Sequence, residues 1–189
     1  MGAHSVSRQG AIDHAVCELV ERDAVAHMLP DGFTFEAARA YLVESPQFVI
    51  DLRANGFMGF LFDVTPKGAR LQTAAALIFD VDGGPVPLTA GYACRRSFDD
   101  AATAAALEAL QSRLTEIHGA REDVAIGQRE AGEAFREFLT SCRPRSMPHR
   151  NYRGLLANAV PHEVWIATLG SNPWIVKAVC PAMRVSHLL

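Results

Sequence analysis

Apolar positions along this chain switch between helical and strand spacing, and the switches mark its elements. From about Ala11 to Met28, Ile12, Ala15, Val16, Leu19 and Val20 recur at the spacing of one helical face, which predicts a helix that buries that stripe. His14, Glu18, Glu21 and Val25 form a second stripe, with Arg22 beside it. Thr34 can cap a second helix, Phe35 to about Glu44, and Ser45-Pro46 opens a short third one that stops at Asn55-Gly56. Three strand-like runs follow, Phe57–Val64, Thr73–Val81 and Val86–Cys94, separated by Pro66-Lys67-Gly68 and Asp82-Gly83-Gly84-Pro85. These spacers are too short for crossover helices, so antiparallel pairing is expected.

The clearest helical pattern lies in Asp99–Asp123. Leu107, Leu110, Leu114 and Ile117 fall on one face, and Glu108, Gln111, Ser112 and Thr115 on the opposite one, as in an amphipathic helix. Ser97 and Asp100 make a start signal, and Gly119 supplies a left-handed stop. A further helix is expected at Gln128–Leu139, with Ala131, Phe135, Phe138 and Leu139 on one face. The arginine- and proline-bearing run Cys142–Arg153 reads as an exposed loop, with His149 among Arg145, Arg150 and Arg153. Val164–Thr168 and Trp174–Cys180 are closing strands, joined through Gly170-Ser171-Asn172-Pro173. Residues 1–9 carry no pattern and read as a frayed end.

Helices, a meander, helices and strands in that order argue against a doubly wound parallel sheet. The expectation is an α+β fold with a mixed, largely antiparallel sheet and helices on one side. Domain organisation is then an unpatterned segment, 1–9, followed by one domain, 10–189. A net charge of −3 suggests neither a nucleic acid nor an acidic membrane as partner. No signal-like opening and no long apolar run are present, and a reduced cytoplasmic setting is expected. Cysteines at 17, 94, 142 and 180 form no C-x-x-C pair, and Cys17 and Cys180 read as small core residues.

Candidate chemistry concentrates on two helices. Glu18 and Glu21 stand one above the other on the first. They read either as a solvated pair neutralised by Arg22 and Asp23 or as hard oxygen ligands for magnesium. The polar face of Glu108, Gln111 and Ser112 reads as wet surface, or as a face able to hold magnesium, phosphate or sugar hydroxyls. Arg113 lies nearer the apolar flank, where a basic stem commonly anchors structure. No P-loop, G-x-S-x-G or G-x-G-x-x-G occurs.

Two segments carry a resemblance. LEALQSRLTEIHGARED is similar to the E-A-x-Q-S-R-L…I-x-G-x-R-D-D segment of the YcaO family, and AIDHAVCELVERDA resembles that family's A-x-x-H-G-L-x-E-x-I-E-R-D-A. These enzymes use ATP to activate a peptide backbone amide, forming azolines or thioamides. The resemblance implies magnesium at Glu18 and Glu21, and nucleotide contacts from Arg22, Glu108, Gln111 and Arg113. Arg121, Glu122 and Asp123 match the closing cluster, which by itself reads as a structural ion-pair network.

The resemblance covers roughly residues 10–181 and corresponds to the later half of a YcaO domain. A nucleotide-binding lysine and an E-x-x-E-x-x-E cluster of the earlier half have no counterpart. The family's S-x-x-N-x-x-x-E positions fall on Ala3, Val6 and Gly10, an arginine position falls on Ala104, and Arg95 stands where histidine is usual. The family's proline-rich tail has no match in the closing residues Ser186–Leu189. Few cations therefore remain to clamp phosphates. The expectation is a catalytically incomplete YcaO-like binding or scaffold module in peptide natural-product maturation. The alternative is one part of a split ATP-dependent enzyme, which needs a precursor peptide and a partner chain. A core that lost half its sheet is expected to associate as a dimer or larger.

Overall fold

A computed structural model describes residues 2–84, 86–118 and 126–185. In chain order the elements are β1 (Gly2–Ser5), α1 (Arg8–Met28), α2 (Phe35–Tyr41), β2 (Leu42–Val43), α3 (Pro46–Arg53), β3 (Phe57–Asp63), β4 (Gln72–Asp80), β5 (Leu88–Arg95), α4 (Phe98–His118), α5 (Ile126–Ser141), β6 (Trp165–Ser171) and β7 (Trp174–Val179), with a 3-10 turn at Leu156–Ala159. The fold is α+β. Four strands form one antiparallel sheet in the order β2-β3-β4-β5, and three form a second in the order β1-β7-β6. Among the described residues no helix is long and apolar enough to cross a membrane.

The meander forms as its turns require. Phe57 pairs with Asp80 and Asp63 with Ala74, and Gln72 pairs with Arg95 across the next hairpin. β4 is buried along almost its whole length, because helices cover both faces of this sheet, not one. Alternate residues face opposite ways. Phe62, Ala75, Leu77, Phe79 and Tyr92 pack with the end of α1, with α2 and with α5. Leu61, Ala74, Ala76, Ile78 and Ala93 pack with α3 and α4.

Two expectations fail at the ends of the chain and on α4. Residues 2–5 are a strand, pairing Gly2 with Lys177 and Ser5 with Trp174. Ser7 then caps α1, its hydroxyl accepting from the Gly10 backbone at 3.0 Å. The leucine face of α4 is not the buried one. Leu107 and Leu114 are 61% and 59% exposed. Phe98, Ala101, Ala105 and Ala109 are the residues packed under the sheet. The reason lies in β5: a Cβ at Gly91 would overlap the Ala105 carbonyl and the Ala109 amide. Helix and strand backbones touch here, and only small side chains fit at such a seam. The stop at Gly119 and the cluster Arg121, Glu122 and Asp123 lie outside the described residues, as do Pro85 and Ser186–Leu189.

Candidate functional site

β5 is the outer strand of its sheet, and helices flank its open edge on both sides. Tyr92 and Cys94 belong to the face that α1 covers, and Gly91 and Ala93 to the face that α4 covers. The cleft left between the two helices has a volume of about 710 Å³ and is lined by Glu18, Glu21 and Arg22 of α1, Tyr92 and Arg95 of β5, and Glu108 and Gln111 of α4, among others. Five of the six residues singled out from the sequence thus converge on one hollow, although Arg22 and Glu108 are far apart in the chain.

Arg113 is the exception. It does not line the cleft. Its guanidinium donates to the Asp80 carboxylate and to the Val86 carbonyl and lies 4.7 Å from the centre of the Phe57 ring. The residue is 7% exposed. Its charge is used up at the far end of β4, because α4 turns Arg113 towards the alanine seam and not towards Glu108.

The electrostatics of the cleft are those of charges without adequate partners. Glu21 spends one oxygen on the open edge, Oε2 accepting from the Cys94 backbone N–H at 3.2 Å. Burial, and then the nearby Glu108 carboxylate, push its pKa up to about 8. Glu108 is shifted upward as well, again mainly by desolvation, and the Tyr92 backbone N–H partly offsets this. Arg22 reaches Glu18 at 3.4 Å. Its Nε is buried and meets no acceptor among the described residues. Three carboxylates share the cleft, and burial biases Glu21 and Glu108 towards their neutral forms unless a cation arrives. Such an arrangement suits a hard divalent cation through carboxylate oxygens and an anion through arginine. Among the described residues, no three acidic, histidine or cysteine side chains gather closely enough to enclose a metal by themselves. Any cation would need further oxygens from its companion ligand.

Sequence reasoning did not single out Arg95 as a lining residue. The double arginine at the end of a strand was the available signal. Cys17, read as a small core residue, is buried but forms part of the cleft wall. Its thiol is hydrogen-bonded to Cys94, which holds its pKa below the usual thiol value.

A family model described as YcaO cyclodehydratase, ATP- and Mg2+-binding, matches residues 2–163. No curated protein matches the chain. Several solved structures do. A heterocyclase in complex with substrate and cofactor superposes with a TM-score of 0.69 at 18% identity, over 97% of this chain and 28% of its own. The E. coli microcin synthetase McbBCD complex with pro-MccB17 bound gives 0.64 at 19%, over 96% of this chain and 54% of that one. YcaO from Methanopyrus kandleri, bound with AMPPCP and Mg2+, gives 0.67 at 14%, over 94% and 53%. At these identities the likeness is one of fold. The chain spans between 28% and 54% of the length of the structures named here.

Proposed function

The chain belongs to the YcaO family, and on that premise we propose that it is a subunit of a peptide-modifying assembly whose cleft between α1, β5 and α4 takes ATP together with magnesium. One observation carries this reading: Glu18, Glu21, Arg22, Glu108 and Gln111 line a single hollow. The donor set fits the group. Burial raises Glu21 and Glu108 even though Arg95 acts on both in the opposite direction, so an entering cation would be met by carboxylates that it helps to ionise, and magnesium binds through a few carboxylates plus phosphate oxygens. Glu18 and Glu21 would hold the ion together with phosphate oxygens, and Glu108 would line the nucleotide beside it. Arg22, with its unpartnered Nε, would face the phosphates, and Gln111 would supply a neutral hydrogen bond at the rim. When bound, magnesium-ATP supplies the phosphoryl group that activates a peptide amide. The residues of this chain orient that group and exclude water from it.

The substrate in this reading is a precursor peptide, and a partner polypeptide supplies the remaining phosphate clamps. ATP hydrolysis is then expected only when partner and peptide are both present. In such a complex Glu18→Gln should abolish hydrolysis without dissociating the subunits; full activity in that variant would end the proposal. A second reading, a binding or scaffold module without turnover, is favoured by the exposed leucines of α4, which offer a partner an apolar face. It predicts no ATP binding by the isolated chain.

A further inference from the structure

Among the described residues Arg95 is the cleft arginine that forms no salt bridge, although its charge acts at longer range on Glu21 and Glu108. Arg22 pairs with Glu18, Arg96 with Asp13 and Arg113 with Asp80, and no ion pair among the described residues involves Arg95. Its Nη1 donates to the Cys94 carbonyl at 2.7 Å, which ties the guanidinium to the end of β5. Its remaining donors have no acceptor on the protein among the described residues. The residue also stands at a junction. Besides the carboxylate-lined lobe, Arg95 lines an adjoining lobe of about 530 Å³ together with His14, Cys17, Arg96 and Thr103. A half-buried guanidinium, anchored at one nitrogen and left with unused donors, is a preorganised receptor for a planar or tetrahedral oxyanion.

We propose that Arg95 is an anion-binding residue of this cleft, gripping a phosphate of the nucleotide at the point where the two lobes meet. This rests on the nucleotide reading given above for its ligand, but not for its charge. The anion end of the ligand would then lie against β5, opposite the carboxylates that hold its magnesium. Arg95 in this way supplies one of the cations that the cleft lacks on a reading of the sequence alone.

The test is calorimetric titration of the whole chain with three probes: magnesium-ATP, magnesium pyrophosphate and adenosine. Arg95→Gln keeps a donor for the Cys94 carbonyl and removes the charge; Arg95→Lys restores the charge without the fork. Thermal melts establish that both variants fold. Losing a charge-assisted bond predicts that Arg95→Gln weakens ATP and pyrophosphate by about tenfold or more, with partial recovery in Arg95→Lys. Adenosine binding should not change. If the wild-type protein binds pyrophosphate in an Arg95-dependent way but does not bind ATP, the anion site stands and the nucleotide reading falls. If Arg95→Gln binds pyrophosphate as tightly as the wild type, or if the wild type binds neither phosphate probe, the proposal is overturned.

Discussion

Glu108 and Arg113 stand little more than a turn apart on α4, and the fold treats their charges in opposite ways. Arg113 is closed in: a carboxylate, a carbonyl and a ring face surround its guanidinium. Glu108 looks across a cleft at two further carboxylates and is pushed towards its neutral form. A charge whose partners are built into the fold holds elements together. A charge left short of partners is held ready for something that is not part of the chain. The same contrast separates the two helices from their own sequence motifs, since one short segment of α4 contributes both kinds.

The sharpest way to break this contrast is to lift α4 off the sheet. Gly91→Ala places a methyl group against the backbone of α4. Overpacking of this kind costs about 1–3 kcal/mol or more in denaturant unfolding, and it should widen the cleft enough to weaken any ligand at the same time. Arg113→Ala attacks one end only. It leaves Asp80 half-buried and unpaired, so a loss of about 3 kcal/mol is expected, with ligand binding preserved in the folded fraction. Replacing Asp80 and Arg113 together by apolar residues should recover much of that loss, as measured by the same unfolding midpoints.

The opposite end responds in the opposite direction. The folded chain holds a proton on Glu21 up to about pH 8, whereas an unfolded glutamate loses it near its ordinary value of 4.5. The folded state therefore binds more protons across that window, and stability falls as pH rises through it. Glu21→Gln keeps an acceptor for the Cys94 amide and removes this slope. Its stability should exceed that of the wild type at pH 8 by up to about 4 kcal/mol, and the two should converge below about pH 4.5. A parallel pH dependence in the two proteins would remove the argument that the cleft is short of positive charge.

The smallest effect is expected on the outer face of α4. Leu107→Ser together with Leu114→Ser should change monomer stability by less than about 0.5 kcal/mol. If these side chains carry the association expected of the chain, light scattering should show the variant as a monomer and the wild type as a dimer or larger.

Much of this architecture is legible without coordinates, for physical reasons that can be named. The stripe of α1 and the three runs of the meander are local periodicities closed by short turns, and both appear where the pattern puts them. The misreading of α4 came from ranking leucine above alanine. Burial there is decided by how closely two backbones approach, and Gly91 together with Ala101, Ala105 and Ala109 carried that information. β1 was missed because its pairing partner is β7, at the other end of the chain, and a polar edge strand has no local signature. In the cleft, Glu18, Glu21, Arg22, Glu108 and Gln111 could be named because motif and helical spacing agree. Arg113 shared the motif but faces the seam, and Arg95 was passed over because it departs from the motif.

The central claim is that the crowded carboxylates of this cleft receive magnesium with a nucleotide, and proton release tests it most directly. Titrating the wild-type chain with magnesium-ATP at pH 6 and pH 8, in two buffers of different ionisation enthalpy, reports how many protons leave on binding. Because Glu21 must ionise to meet the cation, binding should release close to one proton at pH 6 and about half as many at pH 8, and should tighten with pH, by about tenfold per unit well below pH 8 and less as Glu21 ionises. Binding that releases no proton and does not change with pH, or no binding at either pH, would contradict the account.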